Sequence, residues 1–281
     1  GRLSVYWGDQ VFLPSASFSE APTHHIDIMC TLLPSAPSAE EWVEQGLDKY
    51  GVIACYTNPT TGTLDAAQVE KVSHETATKM LGKLGSIQTV GPSLGSFSVS
   101  SLILEALCTE YAAELTAKEG KLDTDPHFWM PLTLSLEDYG FLMEQKGVSR
   151  EESKAHFERM GALKAKLTLG SLGLFGAVNV GKEACWWDYG QVKLYTANTR
   201  VLLEDSESAK LLRQFLGLDE GHVVDSENKG TIDGVSYLFG SKAGSGSSVQ
   251  TSLIANSQAG KLTAEGAIVV NCAAPTITAG P

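Results

Sequence analysis

No apolar run in the 281-residue chain approaches the roughly 20 residues that a membrane helix requires. Basic residues are scarce. Lys and Arg number 21 against 33 Asp and Glu, a formal charge of −12, and the pI is near 4.9. Such a chain lacks the basic face needed to coat a nucleic-acid polymer. The same balance leaves room for an enzyme that receives phosphates as magnesium complexes. No CxxC pair is present. Cys30, Cys55, Cys108, Cys185 and Cys272 stand far apart, which argues against a zinc site. Their odd count and apolar neighbours predict reduced, buried thiols and an intracellular compartment, cytoplasm or organelle stroma. The opening residues, Gly1 to Asp9, have neither a signal or transit pattern nor an initiator Met, so a processed chain or a fragment that is not secreted is expected. Apolar residues are plentiful, at 43%, and only 19% are charged. That composition supports a sizeable core and excludes wholesale disorder. The length suits one large domain, or a domain with an appendage.

The order of segments predicts an α/β protein. Leu3–Trp7 reads as a short buried strand that delivers Asp9 at its C-terminal end, where open α/β sheets bind ligands. Ser15–Glu20 reads as a loop and Ile26–Leu33 as an apolar strand. Ser38 is placed to cap a short helix through Leu47, with Glu40 and Glu41 in its first turn. Tyr50–Tyr56 is a strand, Asn58–Gly62 a turn, and a polar strand carries Gln68 to Lys71. Ser86–Val90 and Gly95–Val99 read as two short strands. Ser101–Lys118 has the apolar spacing of one helix. A second helical region, Leu136–Leu167, breaks near Gly147, where Ser149 and Glu152 form a capping box. Leu172–Val180 returns to strand, and helices follow over Gln191–Ala197 and Ser206–Leu216. From Asn228 onward charge thins and small residues dominate. Ser252–Asn256 and Ala267–Asn271 repeat a small-apolar-Asn pattern, which predicts stacked short strands as in a parallel β-helix, without a clean hexapeptide period. A small β appendage is the plainer alternative.

Three segments have side chains suited to chemistry. Asp9, after Tyr6-Trp7-Gly8, is a carboxylate that can hold Mg²⁺ at a strand end, or simply an Asp starting a turn. Asp188 follows Trp186 and Trp187, which can wall an acid with apolar rings or fill a core. Glu70 and Lys71 are adjacent on a strand and so point to opposite faces unless the chain bends. Their bland reading is a solvated charge pair.

Taken in order, Gly8-Asp9, Glu70-Lys71, Gly95-Ser96-Phe97-Ser98 before a helix, and Trp186-Trp187-Asp188-Tyr189-Gly190 resemble the sugar-1-phosphate nucleotidylyltransferases, the nucleotide-sugar pyrophosphorylases. The resemblance implies a GT-A/Rossmann-like mixed-sheet core over 1–227, partial in this chain, and the start of a parallel β-helix over 228–281. It implies Asp9 and Asp188 as the catalytic, metal-holding carboxylates for Mg²⁺. Glu70, Lys71, Ser96 and Trp187 fall at positions that line the sugar phosphate. The implied substrates are a sugar 1-phosphate and a nucleoside triphosphate, with uridine as the base on family frequency. One departure matters. The family opens with a strand and a Gly-rich basic loop that cradles the triphosphate, and nothing of that kind precedes Asp9. Gly240–Gly246 lies in the small-residue tail without a following helix and reads as a flexible turn. The 281 residues alone are therefore expected not to turn over substrate. The alternative is a non-catalytic subunit, assembled through the strand edges that an open β-helix offers a protein partner.

Other constellations carry less. His24-His25, with Asp27 nearby, read as a polar loop rather than metal ligands. Leu122–Met130 combines two acids, His127 and aromatics, either at a sugar pocket or at a helix entry. Ser93 and Ser98 lack a visible His-Asp arrangement.

Overall fold

The computed structural model describes residues 1–15, 22–117, 125–218 and 221–281. Of the stretches read above, 16–20, Lys118 and Leu122–Thr124 lie outside these residues, as do the side chains of Asp125 and Pro126. The chain forms two units, Gly1–Gly8 with Phe12–Trp186, and Asp9–Val11 with Trp187–Pro281.

The first unit is built on a mixed sheet. Its strands are β1 (Arg2–Val5), β3 (His24–Cys30), β4 (Gly51–Thr57), β5 (Leu64–Glu70), β6 (Ser86–Ser100) and β7 (Gly173–Asn179), in the order β5-β4-β6-β3-β7, with β1 beside β6. The pair β3–β7 is parallel and the others are antiparallel. A separate two-stranded sheet pairs β2 (Gln10–Leu13) with β8 (Cys185–Asp188). The helices of this unit are α1 (Ala39–Glu44), α2 (His74–Leu81), α3 (Ser101–Glu110), α4 (Ala112–Ala117), α5 (Met130–Thr133), α6 (Leu136–Gln145) and α7 (Arg150–Lys166), with a π-helical turn at Asp125–Trp129. Strand alternation shows why both faces are covered. Ile53 and Cys55 of β4 enter one core with Trp129, Ile103 and Met160, while Val52 and Ala54 enter another with Trp42, Met80 and Tyr139.

Several expectations need correction. The segment at Leu3 is not a buried strand. β1 pairs with the end of β6, leaves Leu3 47% exposed, and ends before Asp9, which lies in the turn that opens β2. The polar strand at Gln68 is largely buried, with Ala66–Val69 all shielded from solvent. The two short strands are one, because β6 runs through Gly91 and Gly95. A Cβ on Gly91 would collide with the Thr31 carbonyl, and Gly95 has φ +75°. That freedom lets the strand bend and serve β4 with its first half and β3 with its second. The expected long helix splits into α3 and α4 at Tyr111, whose ring is buried and whose hydroxyl donates to the His127 carbonyl (2.8 Å). The capping boxes at Ser38/Glu41 and Ser149/Glu152 are both present. His24 and His25 are not in a loop but are buried at the head of β3. All five cysteines are free, but Cys108 and Cys272 are exposed, so the expected burial holds only for Cys30 and Cys55. Among the described residues no helix is long and apolar enough to cross a membrane.

In the second unit α8 (Val192–Val201) and α9 (Glu207–Phe215) precede a parallel β-solenoid of about four turns. Its strands are β9 (Val223–Val224), β10 (Glu227–Asn228), β11 (Thr231–Ile232), β12 (Tyr237–Phe239), β13 (Lys242–Ala243), β14 (Ser248–Gln250), β15 (Leu253–Ala255), β16 (Gln258–Glu265), β17 (Ile268–Val270) and β18 (Ala273–Ala279). The stack β9-β12-β15-β17 is one sheet, and the remaining six strands form another. Corners repeat on a chemical rule. Asp225, Gly240, Asn256 and Asn271 all have positive φ, and each is followed by Ser226, Ser241, Ser257 or Cys272. Each serine hydroxyl accepts the backbone N–H of the next coil. Ser241 N–H reaches Ser226 Oγ (2.9 Å), Ser257 N–H reaches Ser241 Oγ (3.0 Å) and Cys272 N–H reaches Ser257 Oγ (3.1 Å). Buried backbone donors at the corners, where no strand pairs, are thereby satisfied. The glycines of Gly240–Gly246 are part of this scheme, since a Cβ on Gly244 would strike the Gly260 carbonyl of the next coil.

Candidate functional site

Asp9 and Asp188 come together in the second unit. Asp9 precedes β2 and Asp188 ends β8, so the pairing of those strands sets their separation. The Tyr189 N–H donates to the Asp9 carbonyl (2.8 Å), which ties the two turns directly. The Gly190 N–H donates to Asp188 Oδ1 (2.8 Å), and Asn198 of α8 donates from Nδ2 to the Asp188 carbonyl (2.6 Å). A Cβ on Gly190 would lie 2.7 Å from Asp9 Oδ2 and 3.1 Å from Asp188 Oδ1. The two carboxylates thus converge over Gly190, where any side chain would displace the Asp9 carboxylate. Asp9 and Gly190 are exposed and Asp188 is half-buried, so the convergence is open to solvent. Two hard oxygen donors with open remaining positions suit Mg²⁺, which takes one or two carboxylates and completes its shell with phosphate and water. No cluster of three or more Asp, Glu, His or Cys gathers among the described residues, so most of such a shell must come from substrate and water.

The tryptophans beside Asp188 do not form one wall. They are consecutive in β8 and face opposite ways. Trp186 sets its edge against Tyr50 (ring centroids 5.4 Å apart), and Trp187 is buried.

Glu70, Lys71 and Ser96 belong to the first unit. Glu70 closes β5, and Lys71 turns out of the strand with φ +54°. This bend brings the two side chains together, with Lys71 Nζ 3.1 Å from Glu70 Oε1, while Lys146 Nζ sits 3.0 Å from Glu70 Oε2. Burial alone would raise the Glu70 pKa, but hydrogen bonds from Lys146 and then Lys71 outweigh it and hold the pKa below its ordinary value. Glu70 is thus a fixed carboxylate acceptor. Ser96 is buried in β6. Ser93 accepts the Gly95 N–H (3.2 Å) and Ser98 accepts from Arg2 (2.8 Å), so both serines have structural partners.

Two further residues of this unit carry signals that sequence reading passed over. Gln68, two residues before Glu70, is 1% exposed, and its Oε1 has no hydrogen-bond partner among the described residues. A Cβ on Gly51 would lie 2.9 Å from its Nε2. The Trp7 indole packs over Gly95, where a Cβ would sit 2.7 Å from Nε1. An amide between Ala67 and Val69 was the available signal for Gln68. For Trp7 there was none, because its partner is far away in the chain. A groove of about 560 Å³ lined by α2, α6 and the start of α7 contains none of these residues. Its Glu75, Glu137, Lys79 and Lys154 interleave both signs of charge, which gives no net field for a charged ligand.

Comparison of the chain with protein-family models, with curated proteins and with solved structures finds no match in any of the three.

Proposed function

We propose that the chain carries the metal-binding and sugar-phosphate-binding elements of a sugar-1-phosphate nucleotidylyltransferase with a GT-A/Rossmann-like core. In that reaction a sugar 1-phosphate displaces pyrophosphate from a nucleoside triphosphate. The observation that carries the reading is the convergence of Asp9 and Asp188 over Gly190. Bound there, Mg²⁺ would neutralise phosphate charge and help align an in-line displacement. Asp9 and Asp188 would be its ligands, and Asn198 and the Gly190 N–H hold Asp188 in place. The sugar-phosphate half of the reading rests on Glu70 and Lys71. Glu70, anchored by Lys146, accepts hydrogen bonds from sugar hydroxyls. Lys71, paired with Glu70 and largely exposed, presents a cation beside that carboxylate for the phosphate.

Each half is tested alone. Titration of the purified chain with Mn²⁺, followed by electron paramagnetic resonance, is expected to show a site that weakens at least ~10-fold in D9N and in D188N, a loss of about 1.4 kcal/mol. Unchanged Mn²⁺ binding in both variants would remove the metal half. Calorimetry with a sugar 1-phosphate is expected to show binding that is lost in K71A, and equal binding by K71A would remove the other half. Binding of both without pyrophosphate release from a nucleoside triphosphate is the behaviour expected of these 281 residues.

A further inference from the structure

His24 and His25 are adjacent, buried and chemically different. His25 Nε2 faces the Leu169 carbonyl (2.9 Å), which requires an N–H there, and Nδ1 is left to accept from the Ser100 hydroxyl (2.7 Å). His24 meets acceptors on both sides. Its Nε2 faces Asp65 Oδ1 at 3.2 Å. Its Nδ1 faces Thr23 Oγ1 at 2.8 Å, and that hydroxyl donates to Asp27 Oδ1 at 3.3 Å, so its oxygen must accept from Nδ1. A ring with an acceptor at each nitrogen carries two N–H groups, the imidazolium form.

The position of this charge gives it a role. β5 and β7 are the opposite ends of the strand order. His24 pairs directly with Gly173 of β7, and its ring lies so close to Gly173 and Gly176 that a Cβ on either would collide with it. From that seat the ring reaches Asp65 on β5. We propose that His24 is a protonation-dependent clasp that fastens the two ends of the sheet, drawing β5 onto β7 when charged and releasing it when neutral.

The two carboxylates favour the charged form, although the cations Arg2 and Lys164 share them with the ring. Asp27 also receives Arg2 of β1 (2.7 Å), and Asp65 is held by Asn58 (2.6 Å) and Thr63 (2.8 Å). Tyr56 of β4 and Lys164 of α7 also feel Asp65. β7 lays the Gly173 and Gly176 backbone against the ring. Burial pulls the His24 pKa down, but the hydrogen bonds to Asp27 and Asp65 and then their charges outweigh it, leaving it raised above 6.5. A raised folded pKa means that the stabilisation is fully present below the unfolded value and is lost as pH rises through the folded one. The inference concerns the sheet and stands whether or not Glu70, at the end of β5, grips a sugar.

The test is hydrogen exchange of β5 amides, corrected for intrinsic rates, together with the NMR titration of the His24 ring. In the wild type, β5 protection is expected to fall about tenfold or more between about pH 6 and pH 9, with the ring titrating above the ordinary value of about 6.5. His24→Gln should remove the pH dependence of β5 protection. Asp65→Asn keeps the acceptor but not the charge, and should lower the ring's pKa while leaving the sheet assembled. A His24 that titrates at or below the ordinary value overturns the proposal. So does β5 protection with the same pH dependence in wild type and Asp65→Asn.

Discussion

In the α/β unit the buried His24 and Asp27 find charged partners far along the chain. His24 meets Asp65 41 residues on and Arg2 meets Asp27 25 residues on. In the solenoid each buried serine meets its partner one coil away, at a separation of 15 or 16 residues, and the same rung recurs from Ser226 to Cys272. The first arrangement exists only when the whole sheet is assembled. The second can be built a coil at a time, since each coil contacts only its neighbours. The α/β unit should therefore lose stability as a whole when its centre is cut, and the solenoid should fail locally.

The largest effect is expected at Trp129. It is 2% exposed and packs on Phe97, Phe128 and Phe175 with centroids 5.2, 5.7 and 5.8 Å away, which ties β6 and β7 to the π-helical turn. Trp129→Ala should cost about 3–5 kcal/mol in urea denaturation, with exchange rising together across β3, β6 and β7. Exchange confined to residues around position 129 would break the contrast with the solenoid.

Next is Ser257→Ala. It strips the acceptor from the Cys272 N–H and one of two donors from the Ala255 carbonyl (2.9 Å), which keeps the Asn271 N–H (3.0 Å), so one backbone donor is left unmet. The expected cost is about 1–3 kcal/mol, felt by β15 and β17 and not by β9. Ser257→Cys should cost less, because Cys272 fills the equivalent position one coil on and its Sγ approaches the Val270 carbonyl at 3.3 Å. Equal losses for the two variants would show that the ladder is packing rather than hydrogen bonding.

The same contrast explains what the sequence disclosed. The solenoid was legible because its rules are local. The Asn corners at Asn256 and Asn271 and the thinning of charge from Asn228 are properties of neighbouring residues. Capped helices were legible for the same reason, as at Ser149 with Glu152. In the α/β unit, local pattern misled wherever a distant partner decided the outcome. Two polar histidines resembled a loop because Asp65 and the Gly173/Gly176 backbone that bury His24 were invisible. α2 drew no reading, since its buried face is only Ala77, Met80 and Leu81. For the candidate site, the order of Asp9 and Asp188 was readable, but not the β2–β8 pairing that joins them. The bend that folds Lys71 back onto Glu70 is a positive φ at a lysine, which no residue preference announces.

The smallest effect sharpens the comparison most, because it separates backbone preference from coil-to-coil contact at one corner. Gly240 has φ +56°, and a Cβ there would lie 2.5 Å from Asn256 Oδ1 in the next coil. Gly240→Ala thus meets two penalties, left-handed strain of about 1–2 kcal/mol and a clash with the asparagine. Asn256→Gly should be nearly neutral by itself, within about 0.5 kcal/mol, because glycine also accepts the left-handed conformation that Asn256 adopts at φ +46°. In the double variant the strain remains and the clash is gone. The two substitutions should then be non-additive by about 0.5–1 kcal/mol, the double variant being more stable than the sum predicts. Additive losses would mean that the corner is set by backbone preference alone and that neighbouring coils do not read each other's side chains there. The measurement is a double-mutant cycle by chemical denaturation, with solenoid unfolding followed by exchange at β12 and β15.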